Sequence, residues 1–214
     1  MENFIRQLMD EQIKESILVK QALARSSEVT SAIERTAQKC VDVYESGHKL
    51  LIAGNGGSAA DAQHMAAELS GRFGFDRPAI PAIALTTNSS AITAIGNDYG
   101  YDKIFSRQIQ AYGQPGDLFV GISTSGNSPN IVSAVEQCKL SGIEAVGLTG
   151  AASSQMSEGC DVCIQIPSTC TARVQECHIL IIHLLCGAVE EALFGAEFGR
   201  QDRMENVRPA LLSA

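Results

Sequence analysis

Apolar positions recur at helical spacing through residues 1–45: Phe4, Ile5, Leu8, Ile13, Ile17 and Leu18 mark one segment, and Ile33, Ala37, Val41 and Val43 another. Beyond them the pattern changes. Short apolar runs at 49–54, 82–86, 117–122, 144–149 and 162–166 have the length of strands, while 58–73, 89–97, 103–111, 129–140, 153–158 and 172–193 read as helices between and after them. Strands that are apolar throughout and joined by helices require a mostly parallel sheet covered on both faces, because a parallel connection must cross over the sheet. The expected architecture is α/β: a single doubly wound, five-stranded parallel sheet in one domain over 46–194. Helices at 1–45 precede it and are expected to pack on the domain or on a partner subunit. A tail at 195–214 mixes charge with Gly and Pro and shows no clear period. Ligands of such sheets bind beyond the carboxyl ends of the strands, so chemistry is expected in the loops that follow residues 54 and 122.

Composition narrows the partners. The 214 residues are 45% hydrophobic, enough for one substantial core, and the net charge of -8 argues against a surface that holds nucleic acid or an anionic membrane. An anionic ligand must then be gripped locally, by helix N-termini or amide nests. No apolar run reads as long enough to cross a bilayer, and Met1-Glu2-Asn3-Phe4-Ile5-Arg6 lacks a signal-peptide pattern, so a cytoplasmic protein is expected. Seven cysteines, an odd number scattered through apolar segments, fit reduced thiols better than a disulfide framework. Cys160 and Cys163 form a lone CxxC with no second pair to complete a zinc knuckle.

Candidate chemistry lies in two loops and two helices. Ser123-Thr124-Ser125-Gly126-Asn127-Ser128 follows the apolar run 117–122, placing four hydroxyls around a glycine just before a helix. One hydroxyl would be a helix cap; four read as a phosphate cradle. Gly54-Asn55-Gly56-Gly57-Ser58-Ala59 imitates a dinucleotide fingerprint, yet Leu85-Thr86-Thr87-Asn88-Ser89 offers no acidic residue for a ribose, so a tight turn near a smaller ligand is the better reading and no nucleotide cofactor is expected. His64 and Glu68 share a helix face about one turn beyond the strand edge. Gln175 and His183 lie near one face of the closing helix; taken alone, His64 and Glu68 read more plainly as a surface His-Glu pair and His183 as a satisfied core histidine. A metal held by the four is conceivable, but spacing alone does not make the helices face each other.

Together these motifs, with Leu69-x-Gly71-Arg72, Gly96-Asn97-Asp98 and Gln175-Glu176-x-His178 added, resemble the sugar isomerase (SIS) domain family with its flavodoxin-like fold, and within it the bacterial phosphoheptose isomerases, over residues 49–190. The resemblance implies interconversion of sedoheptulose 7-phosphate and D-glycero-D-manno-heptose 7-phosphate, for bacterial heptose in lipopolysaccharide or capsule. It implies Glu68 as base and His183 as acid, one zinc per subunit at His64, Glu68, Gln175 and His183, and a homotetramer with sites near subunit interfaces. Asn55, Gly56, Gly57, Arg72, Asn97, Asp98 and Gln175 fall at substrate-binding positions, and Ser123, Thr124, Ser125 and Ser128 at the phosphate. One departure is Ala172, where some relatives carry an acidic residue three before the glutamine. The chemistry suits the residues: moving a carbonyl between C2 and C1 takes a carboxylate to remove a proton and an acid to serve the oxygens. The alternative is a non-catalytic SIS-domain binding protein of the DnaA initiator-associating type, which keeps the phosphate loop but not the acid and base; the joint presence of Glu68, His183, His64 and Gln175 favours the enzyme.

Overall fold

A computed structural model describes residues 2–198. Helices α1 (Glu2–Arg25) and α2 (Ser27–Glu45) come first, broken at Ser26, whose hydroxyl accepts from Val29 N at 3.3 Å and so caps α2. There follow β1 (Leu50–Gly54), α3 (Gly57–Ser70), β2 (Ala82–Ala84), α4 (Ser89–Tyr99), a 3-10 turn (Tyr101–Lys103), α5 (Ser106–Tyr112) and β3 (Leu118–Ile122). The chain ends with α6 (Pro129–Leu140), β4 (Glu144–Thr149), α7 (Gln155–Gly159), β5 (Val162–Gln165) and α8 (Thr171–Phe198).

The five strands form one parallel sheet in the order β2-β1-β3-β4-β5, the doubly wound arrangement expected. Alternate residues of each strand feed two cores. Leu50 and Ile52 pack with α2, α3 and α8 through Met65, Leu69 and Ile181, while Leu51 and Phe119 pack on the other face with α5, α6 and α7 through Ile109, Ile131 and Met156. The strand order reverses between β1 and β3, whose ends are level: Gly54 pairs with Ile122. The glycine loop and the serine loop therefore leave the sheet side by side at the topological switch point.

Several elements differ from expectation. The helix expected at 103–111 splits into the 3-10 turn and α5, because Ile104 and Phe105 between them turn inward and are 1% exposed. β2 is an edge strand that stops at Ala84, although Leu85 N still donates to Ile52 O at 2.8 Å. α8 continues to Phe198, so the start of the expected 195–214 tail is helical, and the remainder lies outside the described residues. Against expectation, α8 is also long and apolar enough to cross a membrane by length and composition; its buried face, including Val174, Ile181 and Leu185, joins the core. Of the leading helices, α2 packs on the domain, while α1 leaves Phe4, Ile5, Leu8, Met9, Ile13 and Leu18 exposed. Its polar side is tied to α8: Arg173 Nη1 donates to Gln12 O at 2.8 Å, and Ser16 Oγ donates to Glu176 Oε2 at 2.6 Å.

Candidate active site

At the end of β1 the backbone turns directly into α3, with Gly56 at φ +56° as its N-cap. The Gln175 side chain lies close over Gly57: a Cβ there would lie 2.5 Å from Gln175 Nε2 and would push that amide away from the loop. Asn55 is locked by a reciprocal amide pair, each Nδ2 donating to the other's Oδ1, with Asn130 at 2.9 Å, and Tyr101 Oη donates to Asn55 Oδ1 at 3.3 Å. Neither Asn130 nor Tyr101 was singled out from the sequence. Asn130, second residue of α6 and 2% exposed, was a findable signal: a buried amide at a helix start demands a partner.

The serine loop continues β3. Ser123 N donates to Leu148 O at 3.0 Å, Gly126 N closes a turn onto Ser123 O at 3.0 Å, and Gly150 N binds Thr124 O at 3.0 Å. Ser123 Oγ lies 2.9 Å from Ser128 Oγ and 3.4 Å from Ser125 Oγ, so these hydroxyls form one cluster. Ser128 is the N-cap residue of α6 yet makes no side-chain cap bond, which leaves its hydroxyl with the cluster rather than with the helix. Gly126 has φ +65°, and a Cβ on it would lie 2.1 Å from Ser154 Oγ. The loop is thus seated on the start of α7, where Met156 N donates to Gly126 O at 3.1 Å and Gln155 N to Asn127 Oδ1 at 3.0 Å. Hydroxyl donors at a helix N-terminus suit an anion.

The second cluster joins α3 to α8. His64 Nε2 lies 3.0 Å from Glu68 Oε1 and 3.2 Å from His183 Nε2, and the Phe73 ring stacks at 5.7 Å from the His183 ring. Candidate ligand atoms of His64, Glu68 and His183 all fall within 4.8 Å of one another. Two imidazole nitrogens facing each other beside a carboxylate oxygen are a donor set that fits a zinc-type cation. Gln175 is placed differently: it is eight residues earlier on α8, about 12 Å along the helix axis, against Gly57. His64 is seven residues into α3, about 10 Å from its start, so the trio sits two turns below the loops rather than the single turn expected.

Arg72 is exposed just beyond α3. Asn97 and Asp98 are exposed near the end of α4, with Asn97 Nδ2 donating to Asp98 Oδ1 at 2.8 Å. Among the described residues no hydrogen bond or ion pair links these three to the loops or to the trio. His178, three residues and less than one turn beyond Gln175 on α8, is fully buried; its Nε2 lies 3.3 Å from Thr149 O, and burial pushes its pKa down to about 4. The seven cysteines are free, and burial pushes the thiols of Cys40, Cys138, Cys160 and Cys186 up to about 12, which keeps them protonated and poor metal ligands.

Comparison with known proteins places the fold in a family. A family model described as the SIS domain matches residues 18–150. The phosphoheptose isomerase of Aneurinibacillus thermoaerophilus is 57% identical over 87% of this chain and 94% of its own, and phosphoheptose isomerase 2 of Campylobacter jejuni is 55% identical over 86% of this chain and 92% of its own. The solved structure of phosphoheptose isomerase GmhA from Neisseria gonorrhoeae superposes with a TM-score of 0.82 at 39% identity, covering 87% of this chain and 99% of that one. On the family model over 18–150, the identity to these relatives across most of both chains and the shared fold, the chain belongs to the SIS-domain family and, within it, to the phosphoheptose isomerases.

Proposed function

We propose that the chain interconverts sedoheptulose 7-phosphate and D-glycero-D-manno-heptose 7-phosphate through an enediol, supplying heptose for bacterial lipopolysaccharide or capsule. The observation that carries this is the Glu68–His64–His183 cluster, since the serine loop alone would suit a sugar-phosphate binding protein equally. Isomerase relatives at 46–57% identity favour the enzyme over that alternative.

The serine cluster and the N-terminal amides of α6 hold the phosphate, and Asn55, oriented by Asn130, holds a hydroxyl of the open chain. Arg72, Asn97, Asp98 and Gln175 complete the substrate contacts by resemblance. Starting from the ketose, Glu68 takes a proton from C1; the C–H electrons form the C1=C2 bond, the C2=O π pair moves to the C2 oxygen, and that oxygen receives a proton from His183. The enediol then regains a proton at C2 from Glu68 while His183 takes the O1 proton, which leaves the aldehyde at C1. Positioned acid–base groups of this kind contribute about 10² to 10⁴ in rate each. His64, Glu68 and His183 would hold a zinc ion, which would supply Lewis-acid polarisation of a substrate oxygen; the resemblance implies Gln175 as a fourth ligand, and its side chain here packs against Gly57 instead.

The protein works as a homotetramer in the cytoplasm. Support for assembly is the exposed apolar side of α1 and the absence of any buried residue on α4; support for a reducing compartment is the set of free cysteines. The test is turnover of sedoheptulose 7-phosphate followed by NMR, with and without chelator, in wild type and Glu68→Gln. A fall of about 10² to 10⁴ in kcat is expected for the variant, and near wild-type turnover would sink the base assignment.

A further inference from the structure

Beneath the trio lies a buried ion pair that joins the same two helices. Arg77 Nε donates to Glu190 Oε2 at 3.1 Å, and the two side chains are 0% and 2% exposed. Arg77 also reaches the end of α3. Its Nη2 donates to Glu68 O at 2.8 Å, and its Nη1 donates to Leu69 O at 2.7 Å and Gly71 O at 3.0 Å. Carbonyls in the last turn of a helix have no partner within it, so the guanidinium here closes the turn that carries Glu68 and adds a cation at the negative end of the helix. Glu190 binds the other side of the connection: its carboxylate accepts from Phe73 N at 2.9 Å, Gly74 N at 2.6 Å and Phe75 N at 3.2 Å.

Glu190 lies on α8 seven residues beyond His183, which is two turns and nearly the same face. Phe73 spans that interval, its amide on Glu190 and its ring 5.7 Å from the His183 ring, and Gly187 makes room for it: a Cβ there would lie 3.2 Å from Phe73 Cε1. One buried pair therefore grips the backbone of Glu68 and the residue packed on His183. A buried ion pair is a poor source of stability compared with well-packed apolar residues, and its best-attested use is to specify one arrangement.

We propose that Arg77 and Glu190 are positioning residues for the reaction, setting the last turn of α3 in register with α8 so that Glu68 and His183 address the same substrate carbons. This rests on the assignment of Glu68 and His183 above. Neither residue touches the phosphate loop, so their effect falls on turnover and not on substrate grip.

The experiment measures kcat, KM and the number of sugar-phosphate binding sites per subunit, by equilibrium dialysis against the equilibrated heptose phosphates, for wild type, Glu190→Gln, Arg77→Lys and Glu68→Gln. A displacement of about 1 Å costs on the order of 10²-fold in rate, so both clamp variants are expected to lose about 10- to 100-fold in kcat per binding site, with KM within about threefold. A role in stability alone lowers the number of sites and leaves kcat per site at the wild-type value; that outcome overturns the proposal. Loss of turnover in Glu68→Gln beside wild-type kcat per site in the clamp variants overturns the clamp and spares the base, whereas unchanged Glu68→Gln overturns the base assignment itself. Should both clamp variants fail to fold, hydrogen exchange on the wild type decides: the amides of Phe73, Gly74 and Phe75 are expected to exchange as slowly as the core of α8, and exchange at loop rates sinks the clamp.

Discussion

The serine loop at 123–128 and the trio on α3 and α8 hold their polar groups by opposite means. The loop is fixed by backbone: its carbonyls and amides bond to β4, to the residue after β4 and to the start of α7, and its hydroxyls bond to one another. The trio is made of side chains on helix faces, with His64 43% exposed and Glu68 25% exposed, and what fixes it is the buried Arg77–Glu190 pair underneath. An anion needs several donors at once, which a turn supplies cheaply in sequence length. Proton transfer needs a few groups at set distances, which two rigid helices supply at the cost of residues far apart in the chain. If that contrast is right, damage to the loop should act through backbone strain and weak binding, and damage to the trio through turnover.

The harshest test of the loop half is Gly126→Ala. A methyl group at φ +65° is strained, and here it would also overlap the Ser154 side chain. Strain and overpacking together are expected to cost roughly 2 to 5 kcal/mol, seen as a lower midpoint in urea unfolding, with KM for the sugar phosphate raised and turnover per bound substrate kept. A stable variant with normal KM would show that the loop does not depend on this seat.

A subtler test is acid. His178 is buried and neutral on the loop's own support, since Thr149, whose carbonyl it meets at 3.3 Å, precedes the Gly150 that binds Thr124 O. Burial lowers its pKa from 6.5 to about 4, partly opposed by the bond to Thr149. The unfolded chain therefore binds a proton that the folded chain refuses between these values. Stability from this source is complete above pH 6.5 and is lost as pH falls toward 4, by about 3 kcal/mol across the window. In His178→Gln the same acid titration should lower stability by about that much less, measured by urea unfolding at pH 7 and pH 4.5. Equal slopes in both proteins would remove His178 from the account.

The sequence made the two halves unequally legible, for the same physical reason. Strands, the β1 and β3 loops and the boundaries of α6 and β4 follow from local periodicity and turn chemistry, which a short window contains. Ser123, Ser125 and Ser128 were readable as a cluster because a single turn brings them together. His64 and Glu68 were readable as a pair, but His183 joins them from 119 residues away, and only the family resemblance put the helices face to face. Arg77 and Glu190 were missed altogether: Arg77 sits in an irregular segment, and its partner is 113 residues on, within an apolar helix. Glu190 did carry a signal, because a carboxylate on a buried helix face needs donors, yet nothing local named them. The exposed apolar side of α1 has the same helical period as a buried one, so periodicity could not tell which side of the subunit it serves.

The mildest test is also the cleanest separation of the two halves. Ser128 Oγ bonds Ser123 Oγ at 2.9 Å and caps no amide of α6, so Ser128→Ala removes one hydroxyl from the cradle and leaves the helix start as it was. Losing one hydrogen bond of this kind costs about 1 kcal/mol, hence about a fivefold rise in KM for the sugar phosphate. Turnover at saturation should stay within about twofold, because the bond is made in ground state and transition state alike. The paired measurement is the clamp variant Glu190→Gln, which is expected to do the reverse. If Ser128→Ala instead lowers kcat at constant KM, the phosphate grip is coupled to the proton transfer two helical turns away, and the site is one unit rather than an anchor and a separate reacting end.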